Sequence, residues 1–225
     1  MGSQDQALDE VQALPLRVVP PRAVSEEEFL AWCDDQTRAE WVDGEVVVMV
    51  PASVEHNSLS GWLVTVLGLF VEHHDLGRVL QDVQVRLPAQ RRRRSPDVLF
   101  VAAGRLALLH PTHLEGPPDL AIEIVSPESE ARDWREKYLD YEAAGVREYW
   151  VIDPMSQHVE AYALRSDEAP EAATHRYRRL EEHDGAIAST VLPGFSLRTS
   201  WLWPQTRPKT LEILQDLGVL GRQEE

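Results

Sequence analysis

The chain of 225 residues is poor in cysteine, in positive charge and in long apolar segments. Its single cysteine, Cys33, excludes an intrachain disulfide framework and a zinc site built from several thiolates of one chain. The N-terminus has neither the basic start nor the apolar stretch of a signal peptide. The longest apolar run, over 61–71, is too short for a membrane span, which takes roughly 20 residues. We therefore expect a cytoplasmic protein with no membrane-spanning segment.

Positive charge is the most telling shortage. The chain has 22 Lys and Arg against 38 Asp and Glu, a formal net charge of −16. So acidic a surface repels nucleic acid over most of its area, which argues against a protein that coats DNA without specificity. It does not exclude a nuclease, because a bound cation and a local basic patch can invert the field around a site. The run Arg91–Arg94, in a connection between strands, is either such a patch or a solvated loop tip.

The composition, with 43% hydrophobic residues, suffices for the core of one domain. We expect a flexible leader over 1–22, a single domain over 23–203 and a tail over 204–225. Turn residues and apolar spacing predict, in the first half, a helix capped by Ser25, a hairpin turning at Asp43-Gly44, a helix over 53–74 and a strand over 78–87. A central strand over 119–125 follows, then a helix from Ser126-Pro127 to about Ala144 with Gly145 as its stop, and a strand over 148–153. The C-terminal part is predicted to form antiparallel segments over 159–164, 175–180 and 186–192, with a turn at Asp184-Gly185. This order indicates an α/β domain with a mixed central sheet and a C-terminal antiparallel extension.

Two short apolar runs each carry one acid, Asp97 and Glu123, 26 residues apart. A carboxylate in a buried strand is costly unless it is paired, hydrogen-bonded or bound to a metal. Two of them on neighbouring strands can converge on Mg²⁺, a hard cation that takes few protein oxygens and keeps several waters. Such a metal polarises a phosphate oxygen and generates hydroxide, and the ammonium of the following Lys137 could stabilise the developing charge.

Simpler interpretations exist for each residue of this set. A Pro-Asp pair before a strand is common in turns, so Asp97 alone carries little functional weight. Lys137 stands four residues after Asp133 on one helical face, and such pairs are usually ordinary surface ion pairs. Glu123, between Ile122 and Ile124, is harder to explain without a function.

Several strings of the sequence together resemble the Uma2 family of restriction-endonuclease-like proteins, a branch of the PD-(D/E)xK nuclease superfamily. The resemblance covers roughly residues 25–200 and is carried by the strings 40–49, 51–56, 95–98, 122–127, 137–146 and 148–153. It implies a restriction endonuclease-like mixed β-sheet core flanked by helices.

The resemblance also implies a set of site residues. Asp97 and Glu123 would be catalytic acids and metal ligands, the backbone carbonyl of Ile124 a third ligand, and Mg²⁺ the cofactor, with Mn²⁺ as a substitute. The superfamily's lysine normally stands two residues after the second acid, where this chain has Val125. The resemblance implies that this lysine has moved to the next helix, at Lys137.

Three further residues are possible contributors by the same resemblance: Glu45, Glu55 and His56. Simpler interpretations apply here as well, since an acid at a helix start, such as Glu55, is favourable with the helix dipole. A lone histidine such as His56 is more often satisfied by local partners than catalytic.

The function that the resemblance implies is a Mg²⁺-dependent DNA endonuclease. By the logic of the superfamily rather than from this sequence, it would act as a homodimer, because cleavage of both strands favours two sites. One alternative is a catalytically degenerate nuclease fold that serves as a binding or scaffolding module, which the net charge of −16 and Val125 favour. Another is a metal-dependent hydrolase acting on RNA or small phosphoesters with the same residues. The retained acids count against the degenerate form.

Overall fold

The computed structural model describes residues 19–20, 22–34, 37–49, 51–125, 133–166 and 175–221. Its four α-helices are α1 (Glu26–Trp32), α2 (Val54–His73), α3 (Tyr138–Ala144) and α4 (Thr210–Asp216). A π-helical turn, Asp133–Lys137, leads directly into α3, and 3₁₀ turns cover Pro88–Gln90, Ala103–Leu108 and Thr199–Leu202. The strands are β1 (Ala39–Val42), β2 (Glu45–Val48), β3 (Gly77–Gln81), β4 (Gln84–Leu87), β5 (Arg92–Arg94), β6 (Val98–Ala102), β7 (His113–Glu115), β8 (Leu120–Ile124), β9 (Glu148–Asp153), β10 (His158–Ser166), β11 (His175–Arg179), β12 (Ala186–Ala188) and β13 (Ser196–Arg198).

The central sheet has six strands in the order β11-β10-β9-β8-β6-β3. Strands β8 and β9 are parallel, and the other neighbouring pairs are antiparallel. Every residue of β8 is buried, since α2 packs against one face of the sheet and α3 against the other. The predicted α/β class, with a mixed sheet flanked by helices, is confirmed.

A second sheet, in the order β2-β1-β5-β4-β7, packs beside α1. Its first hairpin turns where the sequence predicted, at Asp43 and Gly44, whose φ angles of 50° and 97° lie in the left-handed region that a tight turn of this kind requires. The capping box predicted at the start of α1 is also present: Ser25 accepts the backbone N–H of Glu28, and the Glu28 side chain accepts the N–H of Ser25.

Two sequence expectations are wrong between α2 and β6. The segment over 78–87 is not one strand but two, β3 and β4, which belong to different sheets and are separated at Asp82, where φ is 55°. Apart from the exposed Arg91, the arginine run is neither a loop tip nor an exposed patch, because Arg92–Arg94 forms β5 between β1 and β4. Arg93 and Arg94 are buried there, each paired with carboxylates from other elements.

The C-terminal part agrees with the expectation only partly. Strands β10 and β11 extend the central sheet as predicted, but β12 pairs with β13 instead of joining them. Helix α4, in the segment expected to be a tail, places Ile213 in the main core beside α2.

Other expectations concern the ends of helices and the membrane. Helix α3 ends at Gly145 as predicted, with φ 85°, whereas the leader over 1–18 and the predicted helix start at Ser126-Pro127 lie outside the described residues. Within the described ranges, no helix is both long and apolar enough to cross a membrane.

Candidate active site

The two predicted acids meet at one edge of the central sheet. Asp97 stands directly before β6, and its Oδ2 accepts the backbone N–H of Ile124 at 2.7 Å. The side chain of Glu123 lies on the α3 face, because its neighbours Ile122 and Ile124 pack into the core on the α2 face. In an extended strand the N–H and C=O of one residue point to the same edge, so the Ile124 carbonyl lies toward Asp97.

Lys137 reaches this edge from the turn before α3. Its Nζ lies 2.9 Å from Glu123 Oε2, and both side chains are buried. Tyr141, one helical turn further on, donates its hydroxyl to Glu123 Oε1 at 2.7 Å. The position of the superfamily lysine, Val125, packs in the core instead. Lys137, from the turn that leads into α3, therefore lies beside the second acid.

Glu40 is a third buried acid at the site, and the sequence analysis did not select it. Its Oε1 lies 3.5 Å from Lys137 Nζ and accepts the backbone N–H of Ser95 at 2.9 Å, while Oε2 accepts from Arg94 Nη1 at 2.8 Å. Burial would raise the pKa of Glu40, but the charges of Lys137 and Arg94 outweigh it and lower the pKa. The signal was present, since Glu40 lies among apolar residues of a predicted strand, as Glu123 does.

His56 holds the other oxygen of Asp97. It belongs to the first turn of α2, where its N–H donates to the cap residue Ser53, and its Nε2 lies 3.0 Å from Asp97 Oδ1. Burial lowers the pKa of His56, but the hydrogen bond and charge of Asp97 outweigh it, so the pKa is raised. The ring Nδ1 is buried without a hydrogen-bond partner among the described residues.

The other two candidates lie outside this cluster. Glu45 is exposed at the turn end of the β1–β2 hairpin, paired with Val42, whereas Glu40 pairs with Val47 further along. Glu55 is exposed in the first turn of α2, the position that the helix dipole favours for an acid. The structure thus brings together Asp97, Glu123, Lys137 and His56, adds Glu40 and Tyr141, and leaves Glu45 and Glu55 on the surface.

Among the described residues of the cluster, carboxylates outnumber cations. The carboxylates of Glu40, Asp97 and Glu123 face the guanidinium of Arg94, which Asp140 shares, and the ammonium of Lys137. The unbalanced negative charge is of the sign that attracts a metal ion. Within the described ranges, no three His, Cys, Asp or Glu side chains are grouped to hold one, so a metal site here depends on the two acids and a backbone oxygen. A hydrogen-bonded carboxylate oxygen keeps a second lone pair, and hard oxygen donors fit Mg²⁺.

The site is distinct from the largest groove described on the surface. That groove, about 700 Å³, lies along the outer side of α2 against β3 and is lined by residues such as Leu69, Arg78 and Leu106. It shares no lining residue with the acid cluster.

Comparisons with known proteins identify the family and the fold of the chain. The sequence model of the Uma2 family, described as "putative restriction endonuclease", matches residues 26–200. The fold is similar to a crystal structure from Anabaena variabilis ATCC 29413, described as "a putative nuclease belonging to DUF820". That similarity has a TM-score of 0.65 at 18% sequence identity and covers 80% of this chain and 97% of the other. No curated protein matches the sequence.

Proposed function

Because the chain belongs to the Uma2 family, we propose that it is a metal-dependent endonuclease that hydrolyses DNA phosphodiester bonds at the acid cluster. The family and the fold support a nuclease-like function. The observation that carries the proposal is the convergence of Asp97, Glu123 and Lys137, which come from two strands and a helix, at one edge of the sheet.

The residues that would hold Mg²⁺, or Mn²⁺ in its place, are Asp97, Glu123 and the carbonyl of Ile124. When bound, such a cation polarises a phosphate oxygen and lowers the pKa of a coordinated water. His56 and the Ile124 N–H hold the two oxygens of Asp97 from opposite sides. Tyr141 holds Glu123 from the helix side. This support keeps both acids in fixed orientations.

Lys137 supplies the positive charge that the reaction needs. Its ammonium lies between Glu123 and Glu40, so both carboxylates favour the charged form and restrict where it can move. A fixed cation beside the scissile phosphate stabilises negative charge as it develops, at no cost of reorganisation. Lys137 therefore acts as the electrostatic stabiliser of the transition state.

A non-catalytic binding module is the second candidate, and one observation favours it. Both oxygens of Glu123 are already engaged, one by Lys137 and one by Tyr141, so the acid is neutralised within the protein. A nuclease fold that had lost its metal could keep these contacts for stability alone. Binding of a divalent cation separates the two candidates.

The deciding experiment is calorimetric titration of Mg²⁺ and Mn²⁺ into the wild type and Asp97→Asn/Glu123→Gln. We expect specific binding in the wild type and none in the double variant, with the fold retained, because removal of repelling carboxylates relieves the cluster. Glu160→Gln is a matched control, since Glu160 is a carboxylate of β10 bonded to Tyr162 and Arg179. Binding that persists in the double variant contradicts the site, and absence of binding both in the wild type and in its complex with non-cleavable DNA supports the binding module.

The substrate and the assembly are tested next. We propose duplex DNA as substrate and a homodimer as the active form, because one site cuts one strand. Supercoiled plasmid with Mg²⁺ should yield linear product, and sedimentation should give twice the mass of the 25.5 kDa chain. Cleavage of RNA but not of DNA would indicate a ribonuclease instead. Nicked plasmid produced by a monomer would contradict the proposed homodimer. Affinity for duplex DNA should fall steeply with salt.

A further inference from the structure

Arg94 is the most deeply buried cation of the described chain, with only 1% of its side chain exposed. An arginine in such a place must be paired, and Arg94 has two close carboxylate partners, with Glu136 further away at 3.9 Å from its Nη2. Its Nη1 donates to Glu40 Oε2 at 2.8 Å, and its Nε donates to Asp140 Oδ2 at 2.9 Å. Asp140 belongs to α3, the helix that follows Lys137. One guanidinium thus joins strand β1, strand β5 and the helix of the site.

The second oxygen of Glu40 links this pair to Lys137. Glu40 Oε1 lies 3.5 Å from Lys137 Nζ, while Glu123 Oε2 lies at 2.9 Å. The two carboxylates therefore compete for one ammonium, and Glu123 holds it more closely. Glu40 can leave Lys137 to Glu123 because Arg94 already neutralises Glu40. Without Arg94, the buried Glu40 would have Lys137 as its nearest remaining cation.

We propose that Arg94 is a positioning residue: it keeps Lys137 paired with Glu123 by neutralising Glu40, and it fixes the helix that carries Lys137 through Asp140. The consequence for metal binding and cleavage rests on the proposed function, whereas the pairing itself does not. A group that orients ligands from outside the site typically changes metal affinity by about 10–100-fold when it is lost.

Arg92 provides a matched control within the same strand. Its Nε contacts both oxygens of Asp140 at 3.2 Å, and its other described donor contacts go to backbone carbonyls rather than to Glu40. Arg92→Gln therefore removes a cation from the helix contact but leaves Glu40 neutralised. Arg94→Gln removes both the cation at the helix contact and the cation that neutralises Glu40. The difference between the two variants isolates the effect that passes through Glu40.

A compensating substitution makes the test specific. If Arg94 acts by cancelling the charge of Glu40, then Glu40→Gln in the Arg94→Gln background removes the charge that competes for Lys137. The glutamine keeps an oxygen for the backbone N–H of Ser95. A role of Arg94 in packing alone would not be rescued by a change on its partner. Arg94→Lys, which keeps the charge, provides a second comparison that does not depend on Arg94→Gln folding.

Lysine itself can report on the pairing. The chain has two lysines, the buried Lys137 and the exposed Lys209. Labelling the lysine ε-carbons with ¹³C therefore gives one NMR signal from the site and one reference from the surface. We expect the Lys137 signal to shift in Arg94→Gln, to return in the double variant, and to stay in place in Arg92→Gln, while the Lys209 signal is constant throughout.

The same proteins are then titrated with Mn²⁺. We expect Arg94→Gln to lower the affinity by about 10–100-fold, and both Arg94→Lys and the double variant to recover most of it. Arg92→Gln should stay within about twofold of the wild type. Equal effects of Arg92→Gln and Arg94→Gln, or no recovery in the double variant, would overturn the proposal. If the wild type binds no Mn²⁺ alone or with non-cleavable DNA, the proposed function fails, and the ¹³C signals alone decide whether Arg94 controls the pairing.

Discussion

The two ends of strand β8 both carry buried carboxylates, but these are neutralised in opposite ways. Before the strand, Asp119 has no exposed surface and accepts the N–H of Ala102 at 2.8 Å, with Arg105 and Arg147 at 3.0 and 3.2 Å from Oδ1. The single carboxylate of Asp119 is therefore paired with two cations. At the other end Glu123 shares Lys137 with Glu40, and Asp97 lies beside them.

This difference distinguishes a carboxylate that is fully paired with cations from the carboxylates of the candidate site. Burial alone does not, because Asp119 is at least as buried as Glu123. An acid with more donors than it needs holds the fold together and has no capacity left for a ligand. Several acids that share few cations remain short of positive charge, and a metal ion can supply it. Among the described residues, the ratio of carboxylates to cations therefore distinguishes the candidate site better than burial does.

The largest contrast in cleavage and stability should come from substituting Asp119 and Glu123, at the two ends of β8, in separate variants. Glu123→Gln should lower cleavage by at least about a hundredfold, since it removes a metal ligand and the partner of Lys137, and leave the melting temperature near that of the wild type. Asp119→Ala should leave the cleavage rate within a few-fold but cost about 2 kcal/mol of unfolding free energy, because the Ala102 N–H loses its acceptor.

Plasmid cleavage and chemical denaturation measure both effects on the same preparations. The comparison fails if Asp119→Ala abolishes cleavage at full stability, or if Glu123→Gln unfolds the chain while the folded remainder stays active.

Much of the candidate site, as the structure assembles it, was predictable from the sequence, and the reason is local. Asp97 and Glu123 stand in short apolar strands, where a charge needs an explanation, and Ser53 and Gly145 mark the ends of helices that the structure contains. Lys137 follows Glu123 by 14 residues, close enough for the next helix to return it to the strand.

The part that could not be predicted depends on distant partners. A run of arginines is typical of a solvent-exposed segment. The burial of Arg93 and Arg94 depends on acids that lie 46 to 67 residues away in sequence, on α1, β1 and α3. Glu40 was missed although it lies among apolar residues as Glu123 does, because alternation in a four-residue strand does not by itself show that its face is covered. The split of 78–87 into β3 and β4 depends on the left-handed backbone conformation of Asp82, which the sequence alone does not indicate.

A smaller effect, on pH dependence, should mark a second carboxylate of the structural kind. Glu26 of α1 accepts from Arg86 Nε at 2.6 Å and Arg93 Nε at 2.7 Å, and the hydrogen bond of Arg86, with Arg93, lowers the pKa of Glu26 against the effect of burial. A lowered folded-state pKa means that the stabilisation is complete above the unfolded pKa and is lost as the pH falls through the folded value.

Glu26→Gln should therefore be less stable than the wild type at pH 7 and approach it as the pH is lowered through the acid range. Urea denaturation of both proteins between pH 7 and pH 3 measures this, with Glu27→Gln as a control because Glu27 is an exposed neighbour in the same helix turn. A difference that is constant over this range, or that grows toward acid, would contradict the assignment of Glu26 as an ion-paired carboxylate.

The smallest effect should come from Glu45, and it bears most directly on how the site is bounded. Glu45 and Glu40 lie on paired strands, but Glu45 is exposed at the hairpin turn whereas Glu40 is buried against Lys137 and Arg94. We expect Glu45→Gln to change cleavage by less than about twofold, as surface substitutions usually do, and Glu40→Gln alone to lower it clearly because the buried Arg94 then loses its charge partner on β1, next to Lys137. Steady-state cleavage rates of the two variants compare the two positions, because the substitution is glutamate to glutamine in both. A large loss in Glu45→Gln would show that bound DNA or a partner subunit brings the hairpin turn into the site, which would then extend beyond the buried acids.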